Sequence, residues 1–198
     1  TGEPLWDYDP EVPGETGVKV CCDVVNRGVA AWGNSLFLGT LDGRLVSLDR
    51  ETGKVQWEVV TVDQTKSYSI TGAPRIIDGK VIIGNGGAEF GVRGYIAAYD
   101  AENGEELWRT EVIPKPGEPG DESWEGLSYE ERLHGSVWMV GSYDTELDTL
   151  YWGTSGPTPS PAVLRGGRKA DILLTNSILP LDPHTSDITG YVQHLSRA

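Results

Sequence analysis

The stretches SLDRETGKVQW (residues 47–57) and AYDAENGEELW (residues 98–108) are two copies of one refrain. Each sets an Asp eight residues ahead of a Trp, with Thr52-Gly53 or Asn103-Gly104 between them. Thr1-Gly2 precedes Trp6 in the same manner, so Trp6, Trp57 and Trp108 recur at intervals of 51 residues. A period near 50 points to a radially repeated β architecture. The Asp and its Thr or Asn partner suit a tight turn held by side-chain-to-backbone hydrogen bonds, and Gly supplies a positive φ. The Trp is expected to pack between neighbouring blades.

Within one period, residues 29–32, 36–40, 44–48 and 55–60 are short β-rich runs divided by Gly33-Asn34, Asp42-Gly43 and Thr52-Gly53. Four short strands are the content of a propeller blade. The next period repeats them at 75–77, 81–83, 94–99 and 106–112, with GGAEFGV inserted between its second and third strands. Identity between blades marks scaffold, and a departure from it marks a candidate site. Residues 113–135 break the regularity. PKPGEPGDESWEG predicts a surface excursion and SYEERL a single helical turn. Strand pattern resumes at 136–143 and 149–154, and a second excursion covers 155–171. SILPLDPHTSDITGYVQ then repeats the refrain, with Asp182 and Thr185 in place but Ser186 for the Gly and Gly190 for the Trp.

The expected fold is all-β: antiparallel four-stranded sheets, roughly four β-propeller blades, with residues 1–198 forming one partial propeller domain. Four blades is the lowest number for a closed ring, and an open arc exposes two edges. The chain is therefore expected to belong to a larger ring. It begins on Thr1, as a mature form, a trimmed form or a fragment would.

Composition supports the class. Glycine (26) and tryptophan (7) are abundant, whereas phenylalanine (2) and methionine (1) are scarce, which suits many short strands better than a helical bundle. A net charge of −14 argues against binding a phosphate backbone. No apolar run in these residues reaches membrane-spanning length, and none of them is expected to be a signal peptide.

Four features carry possible chemistry. Cys21-Cys22 are the two cysteines of the chain; they form a strained ring with each other, remain free thiols, or pair elsewhere. Arg27 grips a carboxylate or pairs with Asp23. In GGAEFGVRG, Gly86 and Gly87 allow backbone to approach a bound group, and Glu89 offers a carboxylate oxygen of the kind Ca²⁺ prefers. The plainer alternative there is a hairpin with a Glu89–Arg93 surface ion pair. Trp138 lies outside the refrain spacing, as core or as a flat platform for an aromatic ligand. His134, His184 and His194 show no metal spacing and are expected to be ordinary surface or loop residues.

CCDVVNRG, TGAPR, GNGGAEFGVRG, the TG-x-x-x-W refrain and SVWMVGSYD…LYWGT together resemble the catalytic subunit of pyrroloquinoline quinone (PQQ)-dependent alcohol dehydrogenases, the methanol and ethanol dehydrogenase group. The resemblance runs from Thr1 to about His194. It implies an eight-bladed propeller of which this chain holds the early blades. It implies a vicinal disulfide, Cys21–Cys22, on one face of PQQ and Trp138 stacked on the other. Arg27, Thr71, Gly87, Ala88 and Ser136 match positions that bind the cofactor's carboxylates and carbonyls, and Glu89 matches a ligand of Ca²⁺ (a lanthanide in some relatives). No catalytic residue is assigned: the family's Asp base falls beyond Ala198, and the chain alone is expected to be inactive. The implied activity is oxidation of a primary alcohol to an aldehyde, with cytochrome c as electron acceptor, in the periplasm. The alternative is a non-catalytic propeller scaffold or an inactive fragment. Three departures from the family stand out: Gly156 where a second metal-ligating Asn is usual, Leu133-His134 in a loop that is usually Gly-rich, and the altered refrain at Asp182.

Overall fold

The computed structural model describes residues 2–125, 127–133, 135–158, 161 and 170–195. His134 lies outside the described residues. Among the described residues, twelve strands form three antiparallel sheets of four, each in simple sequential order. The first holds β1 (Ala30–Trp32), β2 (Ser35–Gly39), β3 (Arg44–Asp49) and β4 (Val55–Val60). The second holds β5 (Arg75–Ile77), β6 (Lys80–Gly84), β7 (Tyr95–Asp100) and β8 (Glu106–Glu111). The third holds β9 (Ser142–Asp144), β10 (Thr149–Gly153), β11 (Ser177–Leu181) and β12 (Val192–Gln193). With the N-terminal tail that ends at Trp6, these are the blades the repeat predicts.

The middle sheet is buried on both faces, and its alternation assigns each face. Tyr95, Ala97 and Tyr99 of β7 join Val81 and Ile83 of β6 in a cluster with Phe37 and Leu45 of the first sheet. Ile96 and Ala98, one step out of phase, join Ile82 in a cluster with Leu150, Trp152, Leu179 and Leu181 of the third. The period of two in a strand thus divides one continuous apolar run between two neighbours.

The refrain tryptophans stitch blade to blade. Trp6 Nε1 donates to the Arg50 carbonyl, Trp57 Nε1 to Ala101, and Trp108 Nε1 to Pro183, each at 3.1 Å. The Asp of each refrain folds the receiving turn. Asp49 Oδ1 accepts from the Thr52 N–H and hydroxyl, both at 2.8 Å, and the hydroxyl bond first of all holds that carboxyl below its usual range. Asp100 and Asp182 accept from the two corresponding backbone N–H groups of their own turns. The altered third refrain therefore keeps its geometry: Ser186 N donates to Asp182 O, as Gly53 and Gly104 donate to Asp49 and Asp100. Ser186 pays for this with a φ of 70°. Ser186→Gly is expected to raise stability by about 1 kcal/mol, because a left-handed residue with a Cβ costs ~1–2 kcal/mol. Urea unfolding of the two proteins checks it.

Two expectations need correction. Residues 113–125 are not a simple surface excursion, because Trp124 at the end of a short 3₁₀ turn (Asp121–Trp124) is fully buried in the core between the second and third sheets. Arg132, 4% exposed, ties the excursion together by donating to the Leu127 and Pro114 carbonyls and pairing with Asp121 at 2.6 Å. The single helical turn expected in SYEERL is present as 3₁₀ at Tyr129–Glu131. The strand expected over 136–143 begins only at Ser142. Residues 136–141 instead run beside the end of β6, where Val137 N donates to Asn85 O at 2.9 Å. No helix among the described residues is long and apolar enough to cross a membrane.

Candidate cofactor site

The site forms where the GGAEFG insertion leaves the second blade. Asn85, the residue after β6, is fully buried, and its carboxamide takes the place of ladder bonds. Its Oδ1 accepts from Tyr95 N at 2.7 Å, and its Nδ2 donates to the Gly86 and Arg93 carbonyls at 3.1 and 3.2 Å. Gly86 then pairs with Ser69 across a single bridge. A Cβ on Gly86 would stand 2.8 Å from the Ser69 hydroxyl. Gly87 is left-handed (φ 109°, ψ 4°), with room for no side chain against the Ser67 carbonyl. A 3₁₀ turn, Ala88–Phe90, follows, fixed by Ala88 N donating to Ser136 Oγ at 2.9 Å. Glu89 rides on this turn, solvent-exposed, with no ion pair or hydrogen bond among the described residues.

The Glu89–Arg93 ion pair does not form. A second left-handed glycine, Gly91 (φ 85°), ends the turn and sends Arg93 the other way. There it stacks 3.8 Å over the Tyr129 ring, donates to the Tyr129 and Arg132 carbonyls, and meets Glu111 at 3.5 Å.

The first blade and the approach to the third supply the opposite walls. Cys21 and Cys22 are disulfide-bonded to each other, with Cα atoms 3.7 Å apart and Cys22 at a φ of 74°. Asp23 does not pair with Arg27; its carboxylate accepts from Val24 N at 2.8 Å. Arg27 is anchored to the Thr71 carbonyl twice, through its backbone N (3.1 Å) and Nη1 (3.2 Å), and its guanidinium lies 4.7 Å over the Trp138 ring. Trp138 is 38% exposed, so it is not core. The TGAPR glycine allows the close approach of this segment, since a Cβ on Gly72 would stand 2.5 Å from the Trp138 carbonyl.

Cys21, Cys22, Arg27, Thr71, Glu89 and Trp138 line one cavity of about 190 Å³. Gly87, Ala88 and Ser136 stand behind that lining and hold the Glu89 turn. Gly86, expected to let backbone approach a bound group, lines it as well; Val25 and Ser69 also line it and were not expected from sequence, nor was the positioning role of Asn85. A disulfide edge, an indole face, a guanidinium and an unpaired carboxylate suit a flat, anionic aromatic group with a hard cation beside it.

Residues 1–194 match the family model described as PQQ: glucose/ethanol/alcohol dehydrogenase, beta-propeller domain. The chain belongs to the PQQ-dependent alcohol dehydrogenase family. It is 49% identical over 208 residues to the 1-butanol dehydrogenase (cytochrome c) of Thauera butanivorans, covering 98% of this chain and 30% of that protein. Among solved structures, the quinohemoprotein alcohol dehydrogenase of Comamonas testosteroni superposes with a TM-score of 0.88 at 42% identity, over 99% of this chain and 31% of that one. A europium-containing methanol dehydrogenase gives 0.83 at 33% identity, over 98% of this chain and 36% of that one. The chain spans about 30% of the length of the curated relatives it matches. The two solved family members therefore share the fold over the residues matched.

Proposed function

We propose that this chain is the cofactor-holding part of a periplasmic quinoprotein dehydrogenase that oxidises a primary alcohol to an aldehyde and passes electrons to a cytochrome c. One observation carries the reading: Cys21, Cys22, Arg27, Glu89 and Trp138, far apart in sequence, line a single cavity. The relative named as a 1-butanol dehydrogenase (cytochrome c) supports the substrate class and the acceptor. The europium-containing relative supports a hard metal, Ca²⁺ or a lanthanide.

Each side chain has a defined task in this reading. Trp138 and the Cys21–Cys22 disulfide clamp the two faces of a planar ring system, excluding water from it. Arg27, already fixed by Thr71, neutralises a carboxylate of the ligand through charge-assisted hydrogen bonds. Glu89 holds the cation. Bound PQQ supplies a hydride-accepting quinone, whose polarity a cation on Glu89 would increase. The remaining blades of such a ring and the base that takes the alcohol proton are supplied from outside these residues.

Isothermal titration of the protein with PQQ in the presence of Ca²⁺ tests the proposal. Saturable binding is expected, weakened about tenfold to a hundredfold in Arg27→Ala, the worth of a charged hydrogen bond. Equal heats for the wild type and Arg27→Ala, or no binding by either, would overturn it.

A further inference from the structure

Resting on the reading of this cavity as a PQQ and metal site, we propose that Asn176 provides the metal with an amide-oxygen donor in the space left by Gly156. Gly156 has no side chain to offer. A Cβ built on it would lie 3.1 Å from Asn176 Oδ1 and 3.7 Å from Asn176 Cγ and Nδ2. The carboxamide therefore enters, oxygen first, the volume that a side chain at position 156 would take. Asn176 is half-buried, and its amide makes no hydrogen bond among the described residues. Its Oδ1 is left free to act as a donor to a cation in that space.

Hydrogen bonds tie the Glu89 turn and the Asn176 segment to one residue, Ser136. Ala88 N donates to Ser136 Oγ (2.9 Å), Ser155 N donates to Ser136 O (2.8 Å), and Asn176 N donates to Ser155 O (3.0 Å). Glu89 is the residue after Ala88, and Gly156 the residue after Ser155, so both flank the same serine. Glu89 and Asn176 are then two unpaired oxygen donors, one carboxylate and one amide. That is a hard set, suited to Ca²⁺ or a lanthanide and ill suited to a soft metal. Backbone demand does not by itself explain the Asn. Asn176 has a φ of 49°, but Ile172 (42°) and Leu174 (73°) in the same segment are also left-handed without being Asn or Gly.

The test is a Eu³⁺ titration of the protein with PQQ present, read by europium luminescence and by its lifetime in H₂O against D₂O. PQQ binding is measured separately by calorimetry, and folding by circular dichroism. Asn176→Gly keeps the left-handed backbone and removes the amide. It is expected to weaken Eu³⁺ at least about tenfold, the effect that even outer-shell groups have on metal affinity, and to add bound water. Asn176→Asp returns an oxygen and is expected to restore binding. Asn176→Gly matching the wild type while Glu89→Gln loses the metal would overturn the role of Asn176 and leave the cofactor site intact. Loss in both Asn176→Gly and Asn176→Asp would make the residue structural and overturn the role as well. Failure of the wild type to bind PQQ would overturn the function reading, and this inference with it.

Discussion

Gly87→Ala is expected to lose about 3 kcal/mol of stability and most of its affinity for PQQ. Two costs combine. A side chain at a φ of 109° is strained by ~1–2 kcal/mol. The new Cβ also collides with the Ser67 carbonyl, which is backbone and cannot rotate away; such overpacking costs ~1–3 kcal/mol. Relief requires the turn to move. The Gly87 carbonyl accepts from Phe90 N, and the next residue holds the Ala88 N–Ser136 Oγ bond, so Glu89 moves with it. Urea unfolding and PQQ calorimetry on one preparation check both halves. Stability and affinity within error of the wild type would show that the insertion is not the rigid frame described here.

Trp57→Ala is expected to cost about 3 kcal/mol, at the lower end of the ~3–5 kcal/mol seen for deleting a large core aromatic, because Trp57 is only half-buried. Its ring sits 5.7 Å from Phe37 and lies against Gly104, where a Cβ would approach it to 2.8 Å. Its Nε1 donates to Ala101 O, which the variant leaves without that partner. The loss falls on the seam between the first two blades. Trp32 is the natural control: it is 49% exposed and outside the refrain, so Trp32→Ala should change stability by no more than ~0.5 kcal/mol. Equal effects of the two substitutions would remove the stitching role from the refrain.

The scaffold was legible in sequence because its signals are local. Asp49, Asp100 and Asp182 each fold their own turn within a few residues, so the turn chemistry reads directly, and it holds even where Ser186 replaces Gly. The strand limits near 136–141 misled because VWMV, residues 137–140, is apolar throughout. In the structure Val137 is buried while Trp138, Met139 and Val140 face outward, which is no strand alternation. PKPGEPGDESWEG is polar in composition, and one anchor, Trp124, outweighs that by filling the core. The Glu89–Arg93 ion pair of the hairpin reading fails because the left-handed Gly91 lies between the two residues and turns their side chains apart. The cavity itself was legible through family resemblance alone, since no local pattern ties Cys21-Cys22 to Trp138. Asn85 escaped because an Asn before two glycines reads as a turn residue, and only the buried end of β6 shows its carboxamide replacing backbone partners.

A crystal structure of the protein grown with PQQ and Ca²⁺ tests the central claim most directly. The account predicts planar density between the Cys21–Cys22 disulfide and the Trp138 indole, a ligand carboxylate on Arg27, and a cation on Glu89. An ordered structure at saturating PQQ with that space filled by solvent, or with PQQ bound elsewhere, would contradict it.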